Sequence, residues 1–267
     1  MVENLSILIT GSNGQLGSCI RDIHKNFPQY KFFFTDSSSF DITSDISMSN
    51  FLDDKQIDYI INCAAYTNVN ECEIDNEKSD KANNIALKKL GKICFESRIK
   101  IIHFSSDYVF DGKKRVFKES DRTNPLSNYG LSKLHGEKKL LEYLLPQSII
   151  IRTSWLYSKY GNNFVMNIIK QCKSNNEINV VADQIGSPTY AGDLARFVLE
   201  VIPNLKNNKI EVYHFSNGGH CSRYELAKEI VHHLKKKIKV NKLYSADKIR
   251  PKRCILDKSK ILKDFSF

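Results

Sequence analysis

Leu5-Ser6-Ile7-Leu8-Ile9-Thr10 runs directly into Gly11-Ser12-Asn13-Gly14-Gln15-Leu16-Gly17, and a helical pattern starts inside that turn. The first six residues read as a buried strand, and the glycines follow Gly-x-x-Gly-x-x-Gly spacing. Such glycines permit a tight bend, let the backbone approach a pyrophosphate, and let the helix pack closely on the strand. The N–H groups at the helix start then face the anion. Alone the spacing says little; between a strand and a helix it points to dinucleotide binding. Gly11, Ser12, Asn13, Gly14, Gln15 and Leu16 are therefore cofactor-binding candidates.

Working outward, strand and helix patterns keep alternating. Strands are expected at 5–10, 30–35, 59–63, 100–105 and 148–153, and helices at 14–25, 47–54, 77–97 and 128–145, with Ser47 capping the second helix. Right-handed crossovers then build a parallel sheet covered on both faces. Strands of such sheets read as unbroken apolar runs, as these do. The fold class is α/β, a Rossmann-type doubly wound parallel sheet. After Thr153 the rhythm changes. Helices at 164–173, 190–201 and 223–234, with strands at 178–181 and 212–216, suggest a smaller C-terminal lobe interleaved with the first. The expected division is a dinucleotide-binding domain at 1–153 and a second lobe at 154–267.

The chain has 267 residues, 41% of them hydrophobic, enough for one large α/β domain with a smaller lobe. Met1-Val2-Glu3-Asn4 leads straight into the first strand with no basic, leader-like stretch. No apolar run approaches the roughly 20 residues of a membrane span. The expectation is a soluble cytoplasmic protein without a membrane partner. The seven cysteines are dispersed and form no Cys-x-x-Cys pair, which argues against a disulfide framework or zinc ligation. The formal charge is +10, yet the cations are spread along the chain. The densest groups are Lys235-Lys236-Lys237 and Lys248-Ile249-Arg250-Pro251-Lys252-Arg253, and no nucleic-acid-binding motif accompanies them. Small anions such as nucleotides suit this charge, and no nucleic-acid partner is expected.

The chemistry lies in Ser105-Ser106-Asp107-Tyr108-Val109-Phe110-Asp111-Gly112 and Tyr129-Gly130-Leu131-Ser132-Lys133. A strand ends in hydroxyls, and a helix presents a phenol and an amine one turn apart. A free phenol has a pKa of about 10, and an ammonium at i+4 pulls it downward. Ser106 can hold a carbonyl oxygen while Tyr129 protonates it and hydride reaches the carbon. Ser106, Tyr129 and Lys133 are thus the catalytic candidates of a reductase.

Asp36 closes the second strand about 20 residues beyond the glycines, where an acidic residue accepts from the adenosine ribose. A 2′-phosphate there would meet its charge. Two unit charges about 5 Å apart at an effective dielectric of about 20 repel by about 3 kcal/mol, around two decades in affinity. Taken alone, Asp36 favours NADH; Ser37, Ser38, Ser39 and Lys31 offer a 2′-phosphate contact instead, and Asp36 also reads as a turn residue. Asp41 and Ile42 are candidates to flank the adenine. Ala64, Ala65 and Thr67 follow the third strand, where small residues let a dinucleotide cross the sheet edge. Asn83 either braces this loop or lies exposed on its helix.

Together these residues resemble an extended short-chain dehydrogenase/reductase, and longer segments are similar to the dTDP-4-dehydrorhamnose reductase family. They are Asn62-Cys63-Ala64-Ala65-Tyr66-Thr67-Asn68-Val69, Ser106-Asp107-Tyr108-Val109-Phe110-Asp111-Gly112 and Pro125-Leu126-Ser127-Asn128-Tyr129-Gly130-Leu131-Ser132-Lys133-Leu134-His135-Gly136-Glu137. Arg152-Thr153-Ser154-Trp155-Leu156-Tyr157, Asn162-Asn163-Phe164, Asp183-Gln184-Ile185-Gly186-Ser187-Pro188-Thr189, Arg250-Pro251 and Leu256-Asp257 follow in the family's order.

The resemblance implies a reductase of a nucleotide-linked 4-ketosugar, with NADPH as cofactor and NADH as a second possibility. Tyr129 would be the proton donor, Lys133 would hold the nicotinamide ribose, and Ser106 would orient the ketone. Val69, Ser106, Asp107, Tyr129, Trp155 and Arg250 would bind the sugar nucleotide, and the second lobe would be mainly substrate-binding. Trp155 would touch sugar or base, unless it packs the core. Arg250 would meet the diphosphate, unless it is a solvated charge. A homodimer is the implied assembly, and no metal site is expected: where some relatives place a magnesium-binding glutamate early in the first helix, this chain has Ser18-Cys19-Ile20. Relatives carry a further helix beyond the Leu256-Asp257 segment, and none is expected here. A reductase of a different nucleotide ketosugar would share the trio. A non-catalytic regulatory subunit of the same fold would not need it.

Overall fold

The computed structural model describes residues 4–265. Leu5–Thr10 (β1) is followed by Gln15–Ile23 (α1), Tyr30–Phe34 (β2), Asp45–Leu52 (α2) and Tyr59–Asn62 (β3). Val69–Ile74 (α3), Asn76–Asp80 (α4) and Ala86–Glu96 (α5) lead to Lys100–Ser106 (β4), Asn128–Leu141 (α6) and Ile149–Thr153 (β5). Next come Leu156–Tyr157 (β6), Phe164–Ser174 (α7), Glu177–Val181 (β7), Ile185–Gly186 (β8), Thr189–Tyr190 (β9) and Ala191–Val201 (α8). The rest is Glu211–Phe215 (β10), Cys221–Ser222 (β11), Arg223–His233 (α9), Lys239–Leu243 (β12), Arg253–Cys254 (β13) and Ser259–Phe265 (α10).

The main sheet runs β10-β5-β4-β3-β1-β2, with every neighbouring pair parallel. Successive side chains alternate between faces. Ile7, Ile9, Ile61, Ile102 and Ile151 pack against Ile20 of α1 and Leu194, Phe197 and Val198 of α8. Leu8, Ile60, Ile101 and Ile150 pack on the other face against Leu87 and Leu90 of α5 and Leu140 of α6. Because β1 lies between β2 and β3, the chain reverses its direction of progress there. That reversal opens a crevice at the carboxyl ends of the strands, where α/β sheets bind ligands.

Beyond β5, β7 and β12 pair in parallel. Ile178 and Val180 of β7 pack with Ile168 and Cys172 of α7 and Ala227 and Val231 of α9. β8 pairs antiparallel to β11 and parallel to β13, while β10 returns to the main sheet beside β5.

Several local expectations are corrected. α2 starts at Asp45, and its cap is Ser44, whose hydroxyl accepts from Ser47 N at 3.2 Å; Ser47 Oγ instead accepts from Asp41 N at 2.9 Å. The helix expected at 77–97 begins at Asn76 behind an Asp75 cap, and a π-turn at Lys81–Ile85 separates α4 from α5. The short α3 before it was not anticipated. α6 ends at Leu141, ahead of Leu144 and Gln147, both at φ 49°. A helix does follow the Leu256-Asp257 segment: α10 buries Ile261. The readings of the chain start at Met1-Val2-Glu3 and of the uncapped end at Ser266-Phe267 lie outside the described residues.

α6 carries the Tyr-x-x-x-Lys pair, and its seat is unusually close. A Cβ on Gly136 would lie 2.0 Å from the Asn83 carbonyl oxygen in the π-turn, so only glycine fits. On the next residue Glu137 takes a bidentate pair from Arg152 of β5, at 2.9 and 2.7 Å, with both side chains buried. Removing one partner strands the other charge in the core. Glu137→Met or Arg152→Met should each lower unfolding free energy by about 3–5 kcal/mol in urea titrations, and the double change Glu137→Met with Arg152→Met should lose less than the two summed.

Candidate active site

The glycine turn sits where the sheet reverses. Gly11 has φ +58°, and a Cβ there would lie 2.8 Å from the Ala64 backbone, so the turn and the loop after β3 touch without side chains between them. Ser12 N donates to Thr35 O at 2.9 Å, and Gly14 N to Gly11 O at 2.9 Å. No acidic residue stands in the first turn of α1, so its N-terminal dipole is free for an anion. This is a cradle that fits a dinucleotide pyrophosphate.

The predicted cofactor residues divide in the structure. Gly11, Gly14 and Ala64 form the cradle. The side chains of Leu16 and Ile42 are in the core clusters. The Ser12 hydroxyl accepts from Arg21 Nη2 at 2.7 Å. Gln15 ties the turn to the segment after β5, donating to Leu156 O at 3.2 Å and accepting from Asn163 Nδ2 at 2.8 Å. Asp41 Oδ1 accepts from Thr43 N at 2.8 Å. Ala65 and Thr67 are exposed on the loop after β3.

Asp36 lies across from the turn. It accepts from Asn13 Nδ2 at 2.9 Å, from Ser38 N at 3.0 Å and from Ser38 Oγ at 2.6 Å. The Ser38 bonds hold its carboxyl below the usual range. The carboxylate thus fastens its own turn.

Ser106, Tyr129 and Lys133 meet at the end of β4. Ser106 Oγ donates to Asp107 Oδ1 at 3.2 Å and accepts from Tyr108 N at 3.2 Å. Burial pushes the Tyr129 phenol well above its ordinary range, and a hydrogen bond with Ser106 only partly offsets this. That burial outweighs the downward pull expected from Lys133, whose Nζ donates to Phe104 O at 2.6 Å. Burial lowers the Lys133 pKa to about 8. Burial also lifts Asp107 to about 7, with Ser106 acting against the rise.

A buried polar row lies beneath the trio. Thr10 Oγ1 donates to Asn62 Oδ1 at 2.6 Å, and Ala64 N faces the same oxygen at 3.3 Å. Asn62 Nδ2 is therefore the group that donates to His103 Nδ1, at 3.1 Å. Burial, then the charge of Lys133, holds His103 neutral, so the network assigns its proton to Nε2, 3.4 Å from Lys133 Nζ. Two donors face each other across that gap, which leaves Phe104 O as the amine's strong acceptor. Asn83 is fully buried and takes the bracing role: Oδ1 accepts from Tyr66 N at 2.9 Å, and Nδ2 donates to Tyr66 O at 2.8 Å and Ser132 Oγ at 3.1 Å.

A cleft of about 470 Å³ is lined by Trp155, Arg223, Asp247 and Arg250 among others, but not by Val69, Asp107 or the trio; its Arg223 feels the charge of Asp107, next to Ser106. Trp155 is half-buried and sits at φ +46°, a left-handed conformation that a bulky residue adopts only under constraint. It lines the cleft and does not pack the core. Arg250 pairs with Asp247 and donates to Asn70 Oδ1 at 2.6 Å, which ties it to α3 beside Val69. Arg223 stacks over the Trp155 ring at 3.7 Å. Sequence reasoning gave no role to His103, Arg223 or the Gln15–Asn163 link. His103 had one signal, a lone polar residue inside an apolar strand; the other two depend on contacts between distant segments.

Residues 5–267 match the model of a family described as the RmlD substrate binding domain. A dTDP-4-dehydrorhamnose reductase of Aggregatibacter actinomycetemcomitans is 38% identical over 225 residues, 83% of this chain and 76% of that protein. A crystal structure of a dTDP-4-dehydrorhamnose reductase from Clostridium acetobutylicum superposes with TM-score 0.90 at 37% identity, covering 98% of this chain and 93% of the other. One from Bacillus anthracis, in complex with NADP, superposes with TM-score 0.91 at 34% identity, covering 97% and 92%.

The lysine environment is directly measurable. In protein labelled with 13C at lysine Cε, one resonance, absent from Lys133→Met, should titrate near pH 8, below the ordinary lysine value of about 10.4.

Proposed function

This chain belongs to the dTDP-4-dehydrorhamnose reductase family, and we propose on that premise that it reduces the 4-keto group of dTDP-4-dehydro-6-deoxy-L-mannose to give dTDP-L-rhamnose. The observation that carries the reading is the convergence of Ser106, Tyr129 and Lys133 beside the Gly11–Ala64 cradle. When bound, NADPH supplies the hydride. Gly11, Ser12, Asn13 and Gly14 would hold its pyrophosphate, and Ala64, Ala65 and Thr67 would border its path over the sheet edge. Lys133 would hold the nicotinamide ribose. NADH is the second cofactor of the proposal. The charge of Asp36, kept ionised by its Ser38 bonds, works against a 2′-phosphate; what supports NADPH is the Bacillus anthracis relative in complex with NADP.

Burial of Tyr129 suits a proton donor: a phenol held well above pH 7 carries its proton at rest. Ser106 orients the ketone oxygen, Tyr129 delivers the proton to it, and the ammonium of Lys133 steadies the charge that forms on the phenol. Val69, Asp107, Trp155 and Arg250 would bind the sugar nucleotide; of these Trp155 and Arg250 line the cleft. The intact trio supports an enzyme over a regulatory subunit of the same fold. The reading includes a cytoplasmic homodimer, with the product supplied to bacterial surface polysaccharide.

Two measurements test this reading. Tyr129→Phe should lower kcat for NADPH oxidation with the dTDP-ketosugar by about 10²–10⁴, the usual contribution of a placed acid; near-normal turnover would remove the assigned role. Because the Lys133 pKa lies near 8, the ammonium is present below that pH and lost above it. The kcat/KM profile should therefore fall as pH rises through about 8, and the residual rate of Lys133→Met should lack that limb.

A further inference from the structure

We propose that the guanidinium of Arg223, stacked on Trp155, is a recognition group for the diphosphate of the nucleotide ligand. The inference deepens the reading above and rests on its nucleotide-sugar ligand.

Arg223 opens α9, directly after β11, and the pairing of β11 with β8 carries it to the cleft. Its guanidinium lies 3.7 Å over the Trp155 ring and 4.8 Å over that of Phe164. Stacking fixes the plane and leaves the N–H donors pointing out of the edge, where a planar fork meets phosphate oxygens. Among the described residues the side chain has no hydrogen-bond acceptor and no carboxylate within ion-pair distance; only its backbone N–H is engaged, with Gln184 O at 3.1 Å. Arg152 and Arg250, by contrast, both pair with carboxylates. Arg223 is half-buried and has no counter-charge in ion-pair range among the described residues, so a ligand anion can supply one.

The charged groups around it narrow the choice of ligand. Asp107 and Arg250 both act on Arg223 electrostatically, and Arg250 repels it. Asp107 is only partly charged near neutrality, since burial holds it at about 7. Two guanidiniums lining one cleft, beside a weak carboxylate, are relieved by an anion with oxygens for both. Arg250 already divides its donors between Asp247 and Asn70, so Arg223 is the arginine with donors to spare. A diphosphate has the charge and the oxygens; an uncharged nucleoside has neither. Trp155 gains a function from this arrangement: its face holds the guanidinium flat, and Gly186 packs against its edge, where a Cβ would come within 2.6 Å of the ring.

The chain has a single tryptophan, so its emission reports on this contact directly. Wild type, Arg223→Met and Arg223→Lys are titrated with dTDP, thymidine and inorganic pyrophosphate, following Trp155 fluorescence, with NADPH affinity as the check on folding. In Arg223→Met the dissociation constant for dTDP should rise about ten- to hundredfold, the usual scale for a lost hydrogen bond to a charged group. Arg223→Lys should recover part of the loss. Thymidine and NADPH should bind as they do to wild type. Wild type should also bind inorganic pyrophosphate, more weakly than dTDP, and Arg223→Met should lose that binding. An unchanged dTDP affinity in Arg223→Met, an equal loss for thymidine, or no dTDP binding by wild type would overturn the proposal. Should Arg223→Met also lose NADPH binding, Arg223→Lys decides: dTDP weakened relative to thymidine supports the role, and equal affinity overturns it. These are binding measurements, so a failure to turn over the ketosugar would sink the reaction assignment and leave this result standing.

Discussion

Helix α6 can reach its seat only because Gly136 has no side chain where the Asn83 carbonyl passes. The π-turn at Lys81–Ile85 presents that carbonyl, and it also turns the Asn83 side chain toward Tyr66 and Ser132. One close approach therefore positions both sides of the site, namely the helix with Tyr129 and Lys133 and the loop after β3. The Glu137–Arg152 pair fastens the same helix to β5. A buried pair of this kind adds little net stability but penalises any displacement, since movement would uncover an unpaired charge.

Burial then does opposite things to the two titrating members of the trio. It raises the phenol and lowers the amine, because in each case the neutral form is easier to desolvate. The row from Thr10 through Asn62 to His103 gives the amine a neutral neighbour and no counter-charge. The strong contact left to Lys133 is the Phe104 carbonyl, at the end of the strand that carries Ser106. The backbone of β4 thereby holds the two side chains in one place.

Much of this was legible in the sequence. The glycine turn, the strands on either side of it and the Ser106, Tyr129 and Lys133 positions are local patterns, and the parallel, doubly wound sheet follows from crossover rules, though its strand order did not. The Arg152-Thr153-Ser154-Trp155 segment was recognisable, but the stacking of Trp155 on Arg223 was not, because α9 reaches the cleft through the pairing of β11 with β8. The π-turn was hidden, since one inserted residue barely disturbs a helical periodicity. Asp36 was read both as a charge facing the ribose and as a turn residue, and the structure shows the turn donors around it. The final helix escaped notice because a lysine-rich segment conceals its buried Ile261.

The central claim is that this cradle and trio deliver hydride to the sugar C4 while Tyr129 protonates its oxygen. NADPH carrying deuterium at the transferable nicotinamide position, incubated with the enzyme and dTDP-4-dehydro-6-deoxy-L-mannose, tests it most directly. The account predicts that NMR of the product shows dTDP-L-rhamnose with deuterium at C4. Cofactor oxidation with no deuterium at that carbon, or a product of different structure, would contradict it.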